Sequence, residues 1–420
     1  MLLYIDPGTG SMLFTILIGV IGASIFSLRM LFIKLRFKFS GGNAKIDDKK
    51  IPIVIFSDNK RYWSVFEPIC RELDKRGVNT VYMTMSEDDK ALENKYPHIK
   101  AEYIGTESKA FMKLNFLNAS ILLSTTPGLD VYQWKRSKLV DHYVHIPHAA
   151  SEITLYRMFG IDYYDSILLS GQYQIDDVRA LEKLRGLPEK ELVITGIPYM
   201  DEMAKRLKES GDIPKHERTV LLAPSWGKSA ILSVYGGKIL DVLINTGYHV
   251  IVRPHPQSFT SEKELIEGLM RDYPTNDKFE WNSDTDNFDV LSRSDILISD
   301  FSGVIFDFTL VYDKPVIYTD PSFDLSPYDA WWLDRPLWTV SALPCLGCQL
   351  TEENMHCLKD VIDTCISDPK YAVGRKTVKE ETWANPSLGA ALTADYLLNK
   401  YSELTEKGGQ EKQNVVYNHS

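Results

Sequence analysis

The sequence is poor in cysteine and has no excess of basic residues, and each shortage excludes a class of protein. Five cysteines among 420 residues are too few, and odd in number, for a disulfide framework, so a reducing compartment is the simpler fit. The 47 Lys and Arg residues are outnumbered by 57 Asp and Glu residues, and the resulting net charge of -10 argues against a nucleic-acid-binding protein. The hydrophobic fraction of 44% is that of a globular protein, and the length allows two domains and an appendage.

Candidate metal ligands are also scarce. Cys345 and Cys348 form a C-x-x-C pair, but no second closely spaced pair follows at the distance of a zinc ribbon. We therefore predict no metal and interpret the cysteines as structural thiols, with a zinc site as the alternative. Asp284 and Asp286 resemble the D-x-D of some glycosyltransferases. They precede a helical pattern, however, where Asp commonly caps the helix.

One uncharged apolar run lies near the N-terminus. Residues 11–28 carry no charge, and the run continues beyond Arg29 to about the length that crosses a bilayer. Asp6 precedes the run and basic residues follow it, which is the reverse of a cleaved signal peptide. The positive-inside rule then predicts a single-pass anchor in the cell membrane over residues 1–40, with the N-terminus outside and the remaining chain in the cytoplasm. A cleaved signal peptide and an interfacial helix are the alternatives.

After a polar linker, the chain alternates apolar β-branched runs with helical patterns. This alternation predicts a mostly parallel sheet with helices on both faces. The predicted strands are 51–57, 78–83, 119–124 and 142–146, and then 219–224, 249–252, 296–299 and 315–318. Because the pattern restarts after a polar segment, we predict two α/β domains, 41–210 and 211–402. A disordered polar tail is predicted over 403–420.

Polar and charged residues follow the predicted strands of the second half. The first group follows strand 296–299 and comprises Ser299, Asp300, Ser302, Gly303 and Asp307, and the second comprises Arg253 and His255 after strand 249–252. Open α/β sheets build ligand sites at the carboxyl ends of their strands. Hydroxyl and backbone N–H groups at the start of a helix suit a phosphate, and Arg and His add positive charge and proton chemistry. The pattern predicts a nucleotide-diphosphate site.

Ser225 and Lys228 follow strand 219–224 and are predicted to face the same ligand. An ATP-hydrolysing P-loop is disfavoured there, because Leu222 occupies the position of its first glycine. In the first half, His148 comes after an apolar strand and before a helical pattern. A neutral imidazole there can take a proton from an attacking hydroxyl near pH 7, and a structural role is the alternative. We interpret His142 and His145 as packing along the strand.

Five motifs resemble, in order, those of the CDP-glycerol glycerophosphotransferase family of teichoic-acid primases and polymerases. They are His148 after its strand, Thr195 to Asp201, Leu222 to Trp226, Arg253 to Pro256, and Ser299 to Phe308. The similarity covers most of the chain after the predicted anchor. Three features depart from the pattern. The lysine that usually follows the His-Gly of the family is not evident, although Glu152 lies nearby, and two positions carry a different residue. Ala149 stands where the family has a glycine after the histidine, and Gly303 stands where it has a second serine.

The resemblance implies a GT-B-like architecture, in which two Rossmann-like domains with parallel sheets face each other across a cleft, usually without a catalytic metal. It implies transfer of glycerol phosphate, or ribitol phosphate in some members, from a CDP-activated donor to a hydroxyl. We expect no cofactor and a lipid-linked or membrane-surface acceptor, which would explain an anchor. The alternatives are a GT-B nucleotide-sugar glycosyltransferase or epimerase, and a non-catalytic scaffold of the same fold.

On this hypothesis, His148 accepts the proton of the acceptor hydroxyl, while Arg253 and His255 offset the charge on the departing CMP. Ser302 and the N–H groups after it hold the pyrophosphate. The predicted donor-binding residues are Ser225, Ser299, Asp300, Ser302, Gly303 and Asp307.

Overall fold

Two parallel β-sheets organise the part of the chain that the structure, a computed structural model, describes: residues 50–211, 216–284, 286–300, 302–320 and 324–417. From Ile51 onward the chain forms one unit. The predicted α/β class with two parallel sheets is confirmed. The predicted membrane anchor, 1–40, lies outside the described residues. Among the helices that the structure does describe, none combines the length and apolar character needed to cross a membrane.

The first sheet has seven strands in the order β3-β2-β1-β4-β5-β6-β7, and every pair is parallel. The strands are β1 (Ile51–Ser57), β2 (Thr80–Thr84), β3 (Ile99–Tyr103), β4 (Ala119–Ser124), β5 (Val140–His145), β6 (Ser166–Leu169) and β7 (Glu191–Ile194). The apolar run of β1 is buried on both faces. Ile53 and Ile55 pack into one core, and Val54 and Phe56 pack into another on the opposite face.

The second sheet has six strands in the order β10-β9-β8-β11-β12-β13, again all parallel. They are β8 (Thr219–Leu222), β9 (His249–Val252), β10 (Phe279–Trp281), β11 (Ile296–Ser299), β12 (Val316–Tyr318) and β13 (Gly347–Gln349). Leu221 and Leu297 face one core, whereas Val220 and Ile298 face the other, so helices cover both faces here too.

The helices connect successive strands. The α-helices are α1 (Trp63–Lys75), α2 (Glu107–Asn115), α3 (Gln172–Arg185), α4 (Pro198–Glu209), α5 (Ile231–Tyr235), α6 (Gly237–Asn245), α7 (Ser258–Ser261), α8 (Lys263–Asp272), α9 (Phe288–Ser292), α10 (Val304–Phe306), α11 (Trp338–Leu346), α12 (Leu358–Ser367), α13 (Pro369–Thr382) and α14 (Gly389–Tyr417). A π-helical turn, Asp307–Val311, continues α10, and short 3₁₀ segments occur at Lys60–Tyr62, Lys90–Glu93, Ile153–Leu155, Asp329–Trp332 and Met355–Cys357.

The last helix differs from the sequence prediction in two ways. Where the sequence predicts a disordered tail from residue 403, α14 continues to Tyr417. Its side chains Tyr401 and Leu404 pack against the core of the first half, so the helix is anchored beyond the predicted boundary. The predicted division at residue 210 also assigns this helix to the second domain, but Ala394 and Leu397 are buried in the first.

Asp201 links the two segments in which the chain passes from one half of the protein to the other. Its carboxylate accepts hydrogen bonds from the Trp383 indole N–H at 2.9 Å, the Ser387 N–H at 2.8 Å and the Gly389 N–H at 2.9 Å. Gly196, at the start of the same motif, has φ +95° and would place a Cβ 2.4 Å from the Ala384 carbonyl oxygen, so only glycine fits. The Thr195 to Asp201 motif therefore binds the segment of the chain that returns from the second half to the first.

A buried ion pair also crosses between the halves. Arg185 of α3 contacts Asp162 at 2.7 Å and Asp329, from the second half, at 2.6 Å. The Asp329 carboxylate also accepts the N–H groups of Phe159 and Gly160 at 2.7 and 3.1 Å. Since all three charged side chains are buried and bonded, separating the halves here would leave charges unpaired, at a cost of several kcal/mol.

Two buried carboxyl groups lie at the same boundary. Glu152 lies beside Trp338 and Thr339 at the start of α11, and burial raises its pKa from 4.5 to about 7. Its Oε2 has no hydrogen-bond partner among the described residues. Burial likewise raises the pKa of Asp307 to about 7, although the Tyr199 hydroxyl donates to its carboxylate. Both groups are costly to ionise in the folded protein.

Replacing Glu152 with Gln should change how stability depends on pH. The pKa of Glu152 is higher in the folded than in the unfolded state. Its contribution to the free energy of unfolding is therefore fully present below about pH 4.5, where the group is protonated in both states, and is lost as the pH rises towards 7. Relative to wild type, Glu152→Gln should therefore gain up to about 3 kcal/mol in free energy of unfolding between pH 4 and pH 8. Urea unfolding at the two pH values measures this, with exposed Glu264→Gln as the control. Equal pH dependence in wild type and Glu152→Gln would contradict it.

Candidate active site

The predicted site residues follow strands next to the two topological switch points of the sheets. In the second sheet the strand order reverses between β8 and β11, which precede Ser225 and Asp300. In the first it reverses between β1 and β4, which precede the Lys60–Tyr62 turn and Thr125. Ligands of open α/β sheets bind at such points, because adjacent loops leave in opposite directions and open a crevice.

The loops of the two halves meet at Ala149 and Gly303. A Cβ added to Gly303 would lie 3.6 Å from the Ala149 Cβ, an ordinary van der Waals contact. Ala150, one residue on, is buried in the core of the second half, and its carbonyl accepts a hydrogen bond from Tyr173 at 2.5 Å. The loop that carries His148 is thus held against the loop that carries Ser302, as a two-sided site requires.

His148 is held by Thr125 and two tyrosines. Its Nδ1 lies 3.2 Å from the Thr125 hydroxyl, and its ring lies 4.9 Å from that of Tyr62 and 6.3 Å from that of Tyr156, centroid to centroid. Burial and the nearby positive charge of Arg61 lower the pKa of His148 to about 4. The imidazole is therefore neutral near pH 7, and Nε2 is the nitrogen left to accept a proton from a ligand.

His255 lies in the loop after β9. Its Nδ1 accepts the Gln257 N–H at 3.1 Å, so the neutral ring carries its proton on Nε2. Burial, Arg61 and Arg253 lower the pKa of His255 to about 4. This shift disfavours the imidazolium, and the expectation that His255 offsets charge on the leaving phosphate stays a prediction. The neutral ring can still donate a hydrogen bond from Nε2.

Arg253 supplies the positive charge of this loop. Its guanidinium donates to the Asn282 side chain and, at 2.7 Å, to the Asp284 carbonyl. Burial lowers the pKa of Arg253, but a guanidinium remains charged in proteins. It lines a pocket of about 300 Å³ with Pro254, Pro256, Phe259, Ser283 and Asp284. This pocket lies at the carboxyl ends of β9 and β10.

The predicted donor-binding residues divide into two groups. Ser299 and Asp300 are fully buried behind the loops. The Ser299 hydroxyl donates to the Ala223 carbonyl at 2.7 Å, and Asp300 accepts the N–H groups of Ser225 and Ile231 at 2.9 and 3.1 Å. These two residues shape the Ser225 loop from inside.

Asp307 is buried beneath the Tyr199 hydroxyl. Ser225 is largely buried at the loop that Asp300 holds, whereas Ser302 and Gly303 are partly exposed beside Ala149. Lys228, also predicted to face the ligand, is exposed on the Ser225 loop. Only Ser302, Gly303 and Lys228 of this set are therefore open to solvent.

The structure describes Asp284, Asp286 and the five cysteines, for which the sequence left a metal site as an alternative. Asp286 accepts the Phe288 N–H at 2.9 Å just before α9, but the N-cap residue itself is Asn287, which makes no side-chain capping bond. All five cysteines are free. Across the described ranges, no group of three or more His, Cys, Asp or Glu residues is arranged to hold a metal ion.

The sequence analysis did not identify Arg61, Tyr62 or Thr125. All three follow strands that it did predict, β1 and β4, on the edge of the sheet where His148 lies. The signal available was positional, since polar residues directly after adjacent parallel strands meet at one edge.

Comparisons with known proteins agree with the family resemblance and with the fold. The family model described as CDP-Glycerol:Poly(glycerophosphate) glycerophosphotransferase matches residues 49–331, more than half of the chain. A teichoic acid glycerol-phosphate primase from Bacillus spizizenii is 23% identical over 319 residues, which cover 68% of this chain and 77% of the relative.

Solved structures share the fold. The wall teichoic acid polymerase TagF superposes with a TM-score of 0.58 at 17% identity, covering 93% of this chain and 99% of TagF. A UDP-GlcNAc 2-epimerase from Neisseria meningitidis bound to UDP-GlcNAc superposes with a TM-score of 0.52 at 12% identity, over 83% of this chain and 99% of the epimerase. At these identities the structures establish the fold, and the family model establishes the family. The chain belongs to the CDP-glycerol:poly(glycerophosphate) glycerophosphotransferase family and is a phosphotransferase of the CDP-glycerol glycerophosphotransferase kind.

Proposed function

We propose that this protein is a membrane-anchored transferase that moves glycerol phosphate, or a related polyol phosphate, from a CDP-activated donor to a hydroxyl acceptor in cell-envelope polymer or glycolipid synthesis. The observation that carries the proposal is the contact between the two loops at Ala149 and Gly303. It opposes a neutral histidine to a phosphate-type loop across one cleft. The family supports a CDP-glycerol donor, and a TagF variant has been solved after soaking with CDPG.

The donor lies on the second half in this proposal. Ser302 and the backbone N–H groups that follow it bind the pyrophosphate, and Arg253 offsets its charge. Ser225 contributes from the loop after β8, which Asp300 holds in place from behind. His255 donates its Nε2–H to a phosphate oxygen of the CMP leaving group. The pocket between Arg253 and Phe259 leaves room for part of the nucleotide.

The acceptor lies on the first half. Its hydroxyl oxygen attacks the phosphorus of the glycerol phosphate, the bond from that phosphorus to the CMP oxygen breaks, and His148 Nε2 takes the hydroxyl proton. CMP leaves with the electron pair of the broken bond. A histidine with a pKa of about 4 is present in the basic, neutral form at pH 7, and an anionic donor beside it raises its affinity for the proton.

The membrane part of the proposal rests on residues 1–40. Their uncharged run and the basic residues that follow it support a single pass with the catalytic part in the cytoplasm. A lipid-linked acceptor supplies the reason for an anchor, because tethering raises the effective concentration of enzyme at the membrane surface.

The donor class is tested by binding and then by transfer. CDP-glycerol at about 100 times its dissociation constant should stabilise the protein by about 2.7 kcal/mol, a rise of several degrees in melting temperature. CDP-ribitol and UDP- or GDP-sugars complete the panel. Labelled CDP-glycerol mixed with membranes of the source cell should then yield labelled polymer or lipid. A shift with a UDP-sugar alone would favour a glycosyltransferase or epimerase. Binding without any transfer would favour a non-catalytic scaffold.

His148→Ala should lower the rate of transfer by about 100-fold or more, because a positioned general base contributes about 10² to 10⁴. Binding of CDP-glycerol, measured by calorimetry, should stay within a few-fold of wild type. His98→Ala is the matched control, since His98 pairs with Asp74 outside the proposed site. Near-normal transfer by His148→Ala would remove the proposed base.

Membrane attachment is tested with the full chain and with a chain that starts at residue 41. The full chain should stay with membranes after a wash in about 1 M salt, which screens purely electrostatic attachment. The shortened chain should be released. Release of the full chain by salt or alkaline carbonate would indicate interfacial rather than transmembrane attachment.

A further inference from the structure

A cation with no role in the mechanism so far lies on the turn after β1. The guanidinium of Arg61 donates to the Tyr62 hydroxyl at 2.8 Å and lies 4.8 Å from the centre of the Tyr62 ring. The same ring lies 4.9 Å from the ring of His148. The backbone of the turn is also fixed, because Asn59 accepts the Arg61 N–H at 3.1 Å. Arg61 is therefore exposed yet held next to the proposed base.

Arg61 differs from the neighbouring basic residues in its partners. They pair with carboxylates, in the ion pairs Lys60–Asp88, Arg71–Glu202, Lys75–Glu72 and Arg76–Asp395. Among the residues that the structure describes, Arg61 has no carboxylate within ion-pair distance. The charge of Arg61 acts on the carboxyl of Asp58, whose pKa is raised by burial, but the two side chains form no ion pair. An exposed guanidinium that a tyrosine holds in this way is available to an anionic ligand.

The charge of Arg61 reaches both sides of the cleft. It lowers the pKa of His148 in the first half and also the pKa of His255 in the second. The hydrogen bond from Arg61 to Tyr62, whose ring contacts His148, brings the guanidinium to the side of the cleft where the proposed base lies. In the proposed reaction, the phosphorus under attack lies between the two histidines.

The reaction needs a cation at this point. The pyrophosphate of a CDP-alcohol carries two negative charges, and further charge develops on the leaving phosphate during transfer. The pKa values of both histidines are lowered to about 4, which favours their neutral forms, and Arg253 also bonds to Asn282 and the Asp284 carbonyl. Arg61 is a guanidinium that the first half can supply, next to the residue that contacts His148.

We propose that Arg61 is a catalytic residue that binds the non-bridging oxygens of the phosphoryl group during its transfer from the CDP-alcohol to the acceptor hydroxyl. This inference rests on the proposed function. Arg61 takes no proton and forms no covalent bond. Its guanidinium stabilises the charge on the phosphoryl oxygens while the new O–P bond forms and the bond to CMP breaks.

The test compares Arg61→Gln, Arg61→Lys and wild type in the full chain. The readouts are kcat and KM for transfer from labelled CDP-glycerol to membranes of the source cell, and the Kd of CDP-glycerol by calorimetry. We expect Arg61→Gln to lose about 100-fold or more in kcat, with the Kd changed only a few-fold. Arg61→Lys should retain more activity than Arg61→Gln, and added guanidinium ion should partly restore Arg61→Gln. Lys60→Gln, the adjacent residue, should transfer at the wild-type rate.

Three results would overturn the inference. Normal kcat in Arg61→Gln would show that the guanidinium does not act on the phosphoryl group. A loss confined to the KM of donor or acceptor would assign Arg61 to ground-state binding. A large fall in melting temperature, with no rescue by Arg61→Lys or guanidinium, would assign it a structural role. Failure of wild type to transfer from CDP-glycerol would instead overturn the proposed function, and this inference with it.

Discussion

The carboxylate of Asp201 is the contact on which the two-sided arrangement depends. It binds three N–H groups of the returning chain, from Trp383, Ser387 and Gly389, and so fixes the point where the last helix begins. That helix completes the core of the first half. The chain therefore crosses between the halves twice at one place, and the loops beyond the strand ends are held at a fixed separation. Charge-assisted hydrogen bonds to backbone N–H groups suit this role, because they fix direction as well as distance.

The electrostatics of the cleft depend on that separation. Burial, Arg61 from one half and Arg253 from the other lower the pKa of His255, which favours its neutral form. In the proposed mechanism, an anionic donor supplies negative charge and reverses the effect on the histidines it touches. The cations of the proposed mechanism are then in place before the donor binds, and the proposed base, His148, is in its basic form. Such preorganised charge needs no rearrangement at the moment of reaction.

The sequence predicts the centre of each sheet better than its margins. Strands β1, β4, β8, β9 and β11 are continuous apolar runs, because both of their faces are covered. The strands it misses are β6 and the four edge strands, β3, β7, β10 and β13. The edge strands β3, β7 and β10 are partly exposed and mix charged with apolar side chains, as in Glu191–Ile194, so the apolar run that marks a buried strand is absent. Strand β13 has only three residues, Gly347–Gln349. Strand β6 is buried, and its length does not explain why it was missed, because β8, β9 and β11 also have four residues.

The sequence likewise predicts only part of the candidate site. His148, Arg253, His255 and Ser302 were predictable because each follows a predicted strand. The burial of Ser299 and Asp300 was not predictable, because it depends on the Ser225 loop folding back over them. The role proposed for Arg61 was not predicted, because it depends on the lack of an ion pair with a carboxylate. A carboxylate partner for an arginine can come from anywhere in the chain, as Asp395 does for Arg76, so its absence is visible only in three dimensions.

Ala149 and Gly303, which depart from the family pattern, are neighbours in space. Ala149 and Gly303 face each other, with 3.6 Å between the Ala149 Cβ and the position of a Cβ on Gly303. Relative to the glycine and serine of the pattern, a methyl group is added to the loop of His148 and a hydroxymethyl group is removed from the opposite loop. Because the added Cβ would lie at an ordinary van der Waals distance, the structure has room for a serine at position 303 beside Ala149. In the proposed mechanism, the donor side has one hydroxyl fewer, and the backbone N–H groups and Ser302 carry the phosphate contacts there.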